Sequence, residues 1–318
     1  MKRAVKVFRI GLSVLVLLLG IGSVYQWMAV RQDRDAYRPV GQLYEVNGKN
    51  MHLYTEGSGK GTVVFASGWG TVNPYTDFYP LTERVASFAK VAVYDRPGTG
   101  YSELTDRNRD VDEMVAEIHA LLHASGAKPP YVLAGHSLGS LETIRYAQTY
   151  PEEVKGILLI DGGTPEYYAE APVVTALSHL QRFAIDTGIA RTLLLSSKMT
   201  AALHSERNGL KAIPAELREM ESRALLIRGF NRNMTDELRR SADNARKVAK
   251  GKKPLNIPLI ALTAGAFGRQ DKGWLESQKG WTDWSSDTEH IVIHDARHYI
   301  HHYEPELVAE QIRRLIEK

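Results

Sequence analysis

Near the middle of the chain, Gly135-His136-Ser137-Leu138-Gly139 follows the apolar run YVLA and precedes a helical pattern. At a strand–turn–helix junction this spacing makes a turn so tight that the serine takes a strained backbone conformation and lifts its hydroxyl above the sheet. The glycines two before and two after let strand and helix approach. A serine hydroxyl is a poor nucleophile near neutral pH, so it needs a base, and the base needs an orienting carboxylate. His298, in HIVIHDARHYIHH, lies late enough to serve as that base in the chain order serine, acid, histidine. His136 adjoins Ser137, but neighbours on a tight turn point in different directions, so it reads as a packing residue. Acyl chemistry also needs backbone N–H groups aimed at a developing oxyanion. The Leu138 amide, at the start of the helix, is one candidate. The Trp69 amide, in the Ser67-Gly68-Trp69-Gly70 loop after TVVFA, is the other.

These residues must be held by a scaffold. LYEV and MHLYTE flank Asn47-Gly48 and read as a hairpin. TVVFAS, KVAVYD, YVLAGHS, GILLID, IPLIALTA and HIVIHD follow at wide intervals, with helical patterns such as VDEMVAEIHALLHASG between several of them. Near-continuous apolar strands alternating with helices predict an α/β fold with a mostly parallel sheet covered on both faces. From about 163 to 251 no strand pattern occurs, only helix-like segments, which is too long for a loop and predicts a helical cap over the sheet edge.

Taken together, the GHSLG turn, the SGWG loop, the DRPGTGYS turn at Asp95–Ser102 and the terminal ARHYIHHYEPELV resemble the α/β-hydrolase superfamily across about residues 41–318. The resemblance implies a mostly parallel eight-stranded sheet flanked by helices, with a cap inserted after the sixth strand. It departs at Ser67, where the family's loop usually carries His, so the support for that loop must differ. The DRPGTGYS turn reads as structural, with no direct role for Arg96. The resemblance leaves the acid open between two positions. Asp161 ends the sixth strand; Asp271 lies six residues beyond Gly265, after the seventh. The sequence most resembles a branch of the family whose seventh strand reads LTAG and runs into a Trp-containing helix without a fixed Asp, which favours Asp161.

The expected function is a serine hydrolase acting on a carboxylic ester, with an amide second; perhydrolysis and C–C cleavage also fit. Serine at the nucleophile position disfavours haloalkane and epoxide hydrolysis, which in this fold use a carboxylate. The alternative is a non-catalytic ligand-binding protein on the same fold. No cofactor is expected. The histidines 290, 294, 298, 301 and 302 form no H-E-x-x-H pattern, and no metal is expected either. The basic run from Arg246 to Lys253 lacks interleaved aromatics, so nucleic acid is not an expected partner.

Composition frames this reading. The 318 residues include no Cys, which removes thiolate nucleophiles, cysteine zinc sites and disulfides. A mean hydropathy of −0.28 excludes a polytopic membrane protein. The net charge of +3 comes from residues 1–31, which hold five basic residues and no acid, leaving 35 basic against 37 acidic residues elsewhere. Ile10 to Val30 is a run of 21 uncharged residues, enough for a helix to cross about 30 Å of hydrocarbon. Lys2, Arg3, Lys6 and Arg9 precede it and predict a cytoplasmic N-terminus with the rest of the chain outside. The segment reads as an uncleaved transmembrane signal anchor, residues 1–31, since bulky Trp27-Met28-Ala29 replaces a small-residue cleavage site. A cleaved signal peptide, giving a secreted protein, is the competing reading. Residues 32–40 read as a linker and 41–318 as the hydrolase domain.

Overall fold

The computed structural model describes residues 2–269 and 272–318. Helix α1 runs from Lys2 to Ala36. It therefore continues five residues past Arg31, and only residues 37–41 link it to the first strand. By length and composition it is long and apolar enough to cross a membrane.

Eight strands form one sheet: β1 (Gln42–Val46), β2 (Lys49–Glu56), β3 (Thr62–Ala66), β4 (Lys90–Tyr94), β5 (Tyr131–His136), β6 (Val154–Ile160), β7 (Leu255–Ala264) and β8 (Ser285–Ile293). Their spatial order is β1-β2-β4-β3-β5-β6-β7-β8. The hairpin forms as expected, with Asn47 at φ 54° and Gly48 at φ 74°, the two left-handed positions of a type I′ turn. β2 pairs antiparallel with β4, and every later pairing is parallel.

Alternate side chains of the central strands enter opposite cores, which is why these strands read as continuous apolar runs. On β6, Ile157 and Leu159 join one cluster, under α3 (Val111–Ala124) and α4 (Gly139–Thr149). Leu158 and Ile160 join the other, with α2 (Pro74–Ala86) and the C-terminal helix. Between β6 and β7 the described chain is helical. It comprises α5 (Pro165–Glu170), α6 (Ala176–Asp186), α7 (Ile189–Leu194), α8 (Ser197–Leu203), α9 (Ala215–Arg228) and α10 (Arg232–Lys250). Thr164 and Asn231 cap α5 and α10 with their side chains, fixing where these helices begin. Three short helices, α11 (Gly265–Gly268), α12 (Lys272–Gln278) and α13 (Ile300–Tyr303), precede the amphipathic α14 (Pro305–Glu317).

Candidate active site

Ser137 sits between β5 and α4 with φ 50°, a left-handed backbone that a non-glycine residue holds only when its surroundings enforce it. The flanking glycines provide the enforcement. A Cβ on Gly135 would stand 2.3 Å from Thr143 Oγ1, and one on Gly139 would stand 2.6 Å from the Ala66 carbonyl. Strand and helix are thus pressed together and the serine side chain is pushed out, half-exposed, at the carboxyl edge of the sheet.

His298 lies beyond β8, before α13. Its Nε2 accepts from Ser137 Oγ at 2.9 Å, and its Nδ1 donates to Asp161 Oδ2 at 2.6 Å. Asp161, at the end of β6, is fully buried and itself left-handed, at φ 44°. Its other oxygen, Oδ1, accepts from the Ala264 amide at 2.9 Å and from Trp274 Nε1 at 3.0 Å. Those two donors fix the carboxylate so that Oδ2 points at the imidazole. Of the two carboxylates considered from sequence, Asp161 is the one placed against His298; Asp271 lies outside the described residues. Such a chain can pull a proton from the serine hydroxyl and hold the resulting imidazolium.

The Leu138 amide opens α4, where backbone N–H groups and the helix dipole favour negative charge. Trp69 stands across from it in the loop after β3. Among the described residues, neither amide donates to a protein acceptor. The Trp69 indole is tethered to the cap by donating to the Met234 carbonyl at 2.8 Å.

Arg96 braces the loop after β3, where Ser67 stands in place of the family's histidine. Its guanidinium donates to the Ser67 carbonyl at 2.8 Å and the Gly68 carbonyl at 3.1 Å, behind the Trp69 amide. It is buried and pairs with Glu142 at 2.8 Å and with Glu237 of α10 at 3.3 Å. Burial pushes the Glu237 carboxyl above its ordinary range, while Arg96 and Arg109 pull it back. No sequence motif pairs these residues; the one available signal was an arginine in a turn between apolar segments, which must find acceptors if buried.

Sequence reasoning did not place Tyr168 or Trp274 beside the serine and histidine. Tyr168, on α5, accepts from the Gly163 amide at 3.3 Å, two residues beyond Asp161. Burial raises its phenol above the ordinary range, so it stays neutral. Trp274 packs edge-on to His298, with ring centroids 5.6 Å apart.

His136 points away from the nucleophile, as expected, and donates from Nε2 to the His298 carbonyl at 3.2 Å. Burial, with His298 and His301 nearby, holds it well below the usual histidine range. Asp77, His136 and His301 bring potential ligand atoms within 4.8 Å of one another. The same Asp77 oxygen, however, already faces the Arg207 guanidinium at 3.1 Å and His302 at 3.3 Å. That cation meets the charge a metal would otherwise neutralise. His290 bonds Thr263 Oγ1 at 2.8 Å, and His294 is exposed.

Residues 63–311 match the Alpha/beta hydrolase family. The chain belongs to that family. Among its relatives, the uncharacterized protein YbdG of Bacillus subtilis (strain 168) is 30% identical over 315 residues, covering 96% of this chain and 95% of that protein. The pimeloyl-[acyl-carrier protein] methyl ester esterase of Xanthomonas oryzae pv. oryzae (strain MAFF 311018) is 34% identical over 117 residues, covering 37% of this chain and 42% of that enzyme. Among solved structures, the Cif epoxide hydrolase from Acinetobacter nosocomialis superposes with a TM-score of 0.69 at 16% identity, over 92% of this chain and 96% of that one. At that identity the likeness speaks for the shared fold alone.

In this hydrolase the cap encloses a mostly apolar cavity of about 340 Å³. Its inner wall includes Gly70 of the loop after β3 and Tyr299, the residue after His298; its outer wall is built from α6, α7 and α8.

Proposed function

We propose that the protein is a membrane-anchored serine hydrolase that cleaves a carboxylic ester, or secondarily an amide, through an acyl-enzyme. The observation that carries this reading is the unbroken chain from Ser137 Oγ through His298 to Asp161, 2.9 Å and 2.6 Å long. Ser137 attacks the carbonyl carbon as His298 Nε2 takes its proton, and Asp161 stabilises the imidazolium. The Leu138 and Trp69 amides receive the oxyanion. Collapse of the tetrahedral adduct expels the alcohol, which takes the proton back from His298. Water, activated by the same imidazole, then releases the acid and restores the serine.

Some neighbours are named epoxide hydrolases. A serine that opened an epoxide would be left as an ether, which water does not cleave, whereas its acyl ester turns over. That difference in leaving-group chemistry favours carbonyl substrates. The apolar cavity supports an apolar acyl group.

Helix α1 is the anchor in this reading, with residues before Ile10 in the cytoplasm and the catalytic domain outside. A fluorophosphonate probe should label the wild-type chain and fail to label Ser137→Ala. Absence of Ser137-dependent labelling, in folded protein, would favour the non-catalytic binding reading. Protease added to intact cells should remove the catalytic domain; protection would contradict the orientation.

A further inference from the structure

The outer face of the cap is apolar where a water-facing surface would be polar. On α6–α8 and the turns joining them, Leu177, Leu180, Phe183, Leu193, Leu195 and Leu203 are all exposed, Leu195 at 85%. Of the charges on these helices, Arg182 pairs with Asp186 and Arg191 with Asp33 of α1 at 2.5 Å, while Lys198 of α8 is exposed. An exposed apolar surface of this extent marks an interaction site.

The position of α1 says what covers it. The α6–α7 turn is packed directly onto this helix at Gly22, where a Cβ would stand 2.3 Å from the Thr187 carbonyl oxygen, and one on Gly188 3.0 Å from the Gly22 carbonyl. Gln26, the buried residue of α1, accepts from Arg191 Nε at 2.7 Å and faces α9 through the Leu226 carbonyl. From Ile10 to Gly22 a helix rises only about 18 Å, short of the roughly 30 Å of hydrocarbon that the apolar run must cross. The α6–α7 turn therefore lies at a depth that the bilayer itself occupies.

We propose, resting on the anchored-esterase reading above, that the α6–α8 face of the cap is immersed in the outer leaflet of the membrane that α1 crosses. The cavity beneath it then takes the acyl chain of a lipid ester drawn from that leaflet. Leu193, Met199 and Leu203 both line the cavity and are exposed on the face, so the mouth opens toward the lipid. The inner end reaches Gly70 and Tyr299, beside the oxyanion loop and His298. An acyl chain seated in the cavity would bring its ester end to Gly70 and Tyr299, the chain neighbours of Trp69 and His298.

The absence of Cys makes single-cysteine labelling unambiguous. The full chain is reconstituted in phosphatidylglycerol–phosphatidylethanolamine vesicles containing lipids with doxyl groups on their acyl chains. An environment-sensitive fluorophore is placed at Val16→Cys on α1, at Leu180→Cys or Leu195→Cys on the cap, or at Lys128→Cys on the opposite side of the domain. Quenching at 16, 180 and 195 but not at 128 is the expected result. Quenching at 16 alone overturns the docking and leaves the anchor intact. No quenching at 16 overturns the anchor and the docking with it. A pairing of the face with a second copy would protect 180 and 195 from lipid and count against the proposal. In parallel, Leu180→Glu and Leu195→Glu, which lie outside the cavity lining, should lower hydrolysis of vesicle-borne p-nitrophenyl palmitate about tenfold relative to soluble p-nitrophenyl acetate. An equal change for both esters overturns the proposal. Absence of hydrolysis of either ester by the wild type contradicts the esterase reading, and the quenching still decides the docking.

Discussion

The sheet edge and the cap meet around Ser137, yet they are built on opposite terms. At the edge, charge is buried and paired. Asp161 is held by two donors, and Arg96 is clamped between Glu142 and Glu237 while it holds two loop carbonyls. On the outer cap, apolar side chains are left exposed. Chemistry needs groups whose positions do not relax, and low-dielectric burial makes each of those partners strong. Substrate capture needs a surface that gains by leaving water. Glu237 and the Met234 carbonyl, both on α10, are where the two regimes join.

That contrast predicts a graded set of responses. At the edge, Ser137→Ala should reduce ester hydrolysis about 10⁵-fold with little change in melting temperature, measured by steady-state kinetics and calorimetry. Asp161→Asn keeps the shape but removes the charge and the tautomer control, and kcat should fall about 10⁴-fold. Asp271→Asn should stay within about twofold of wild type; the reverse pattern would transfer the acid's role to Asp271.

Arg96→Met should cost about 3–5 kcal/mol in urea unfolding, because Glu142 and Glu237 lose their shared buried cation and keep only the Tyr94 hydroxyl and the more distant Arg109. It should also lower kcat about 10²-fold by loosening the Trp69 amide. Adding Glu237→Gln should recover part of the stability but not the rate. Recovery of both would mean that Arg96 serves the cap rather than the oxyanion loop.

Acid should weaken the fold from the same buried side. Burial holds His302 down at about 3 and His204 at about 4, with His136 also well below its ordinary value. Their folded pKa values lie under the unfolded value of about 6.5, so below that pH the unfolded chain binds more protons. Stability is therefore full above about pH 6.5 and declines as pH falls, by about 1.4 kcal/mol per unit for each histidine. Burial raises the Asp77 carboxyl, but Arg207, His301 and His302 outweigh it and hold it well below its usual range, which adds loss in the same direction at lower pH. Denaturation midpoints measured from pH 7.5 to 5 should fall, and His302→Gln should flatten the slope.

The smallest effect belongs to the cap surface. Leu195→Glu should change stability in detergent by no more than about 0.5 kcal/mol. A large loss would show that the face is covered by protein, and the contrast would fail.

What the sequence made legible follows the range over which each feature is determined. The Ser137 turn, the Asn47-Gly48 hairpin and the SGWG loop are set by residues within a few positions of one another, so their chemistry shows in local spacing. Asp161 was only half legible, because two strand ends carry a carboxylate and the choice depends on which one the chain folds against His298. Trp274 was read only as part of a Trp-containing helix, and the contacts of Tyr168 and of the Arg96–Glu142–Glu237 cluster were not read. Their partners lie far apart in the chain and converge only once the sheet order is fixed. Gln26 was visible as a polar residue inside an apolar run, but its meaning needed the cap. The helix end at Ala36 rather than Arg31 likewise depends on tertiary contacts, with Asp33 held by Arg191.

The central claim is that Ser137 forms a covalent acyl intermediate. The most direct measurement is acid quenching of the full-length protein within its first turnover of p-nitrophenyl butyrate, followed by peptide mass spectrometry. The account predicts a butyryl group on the peptide containing Ser137, absent from Ser137→Ala, with one p-nitrophenol released per labelled chain. Ester hydrolysis that proceeds with no acyl group on Ser137, and that survives Ser137→Ala, would contradict it.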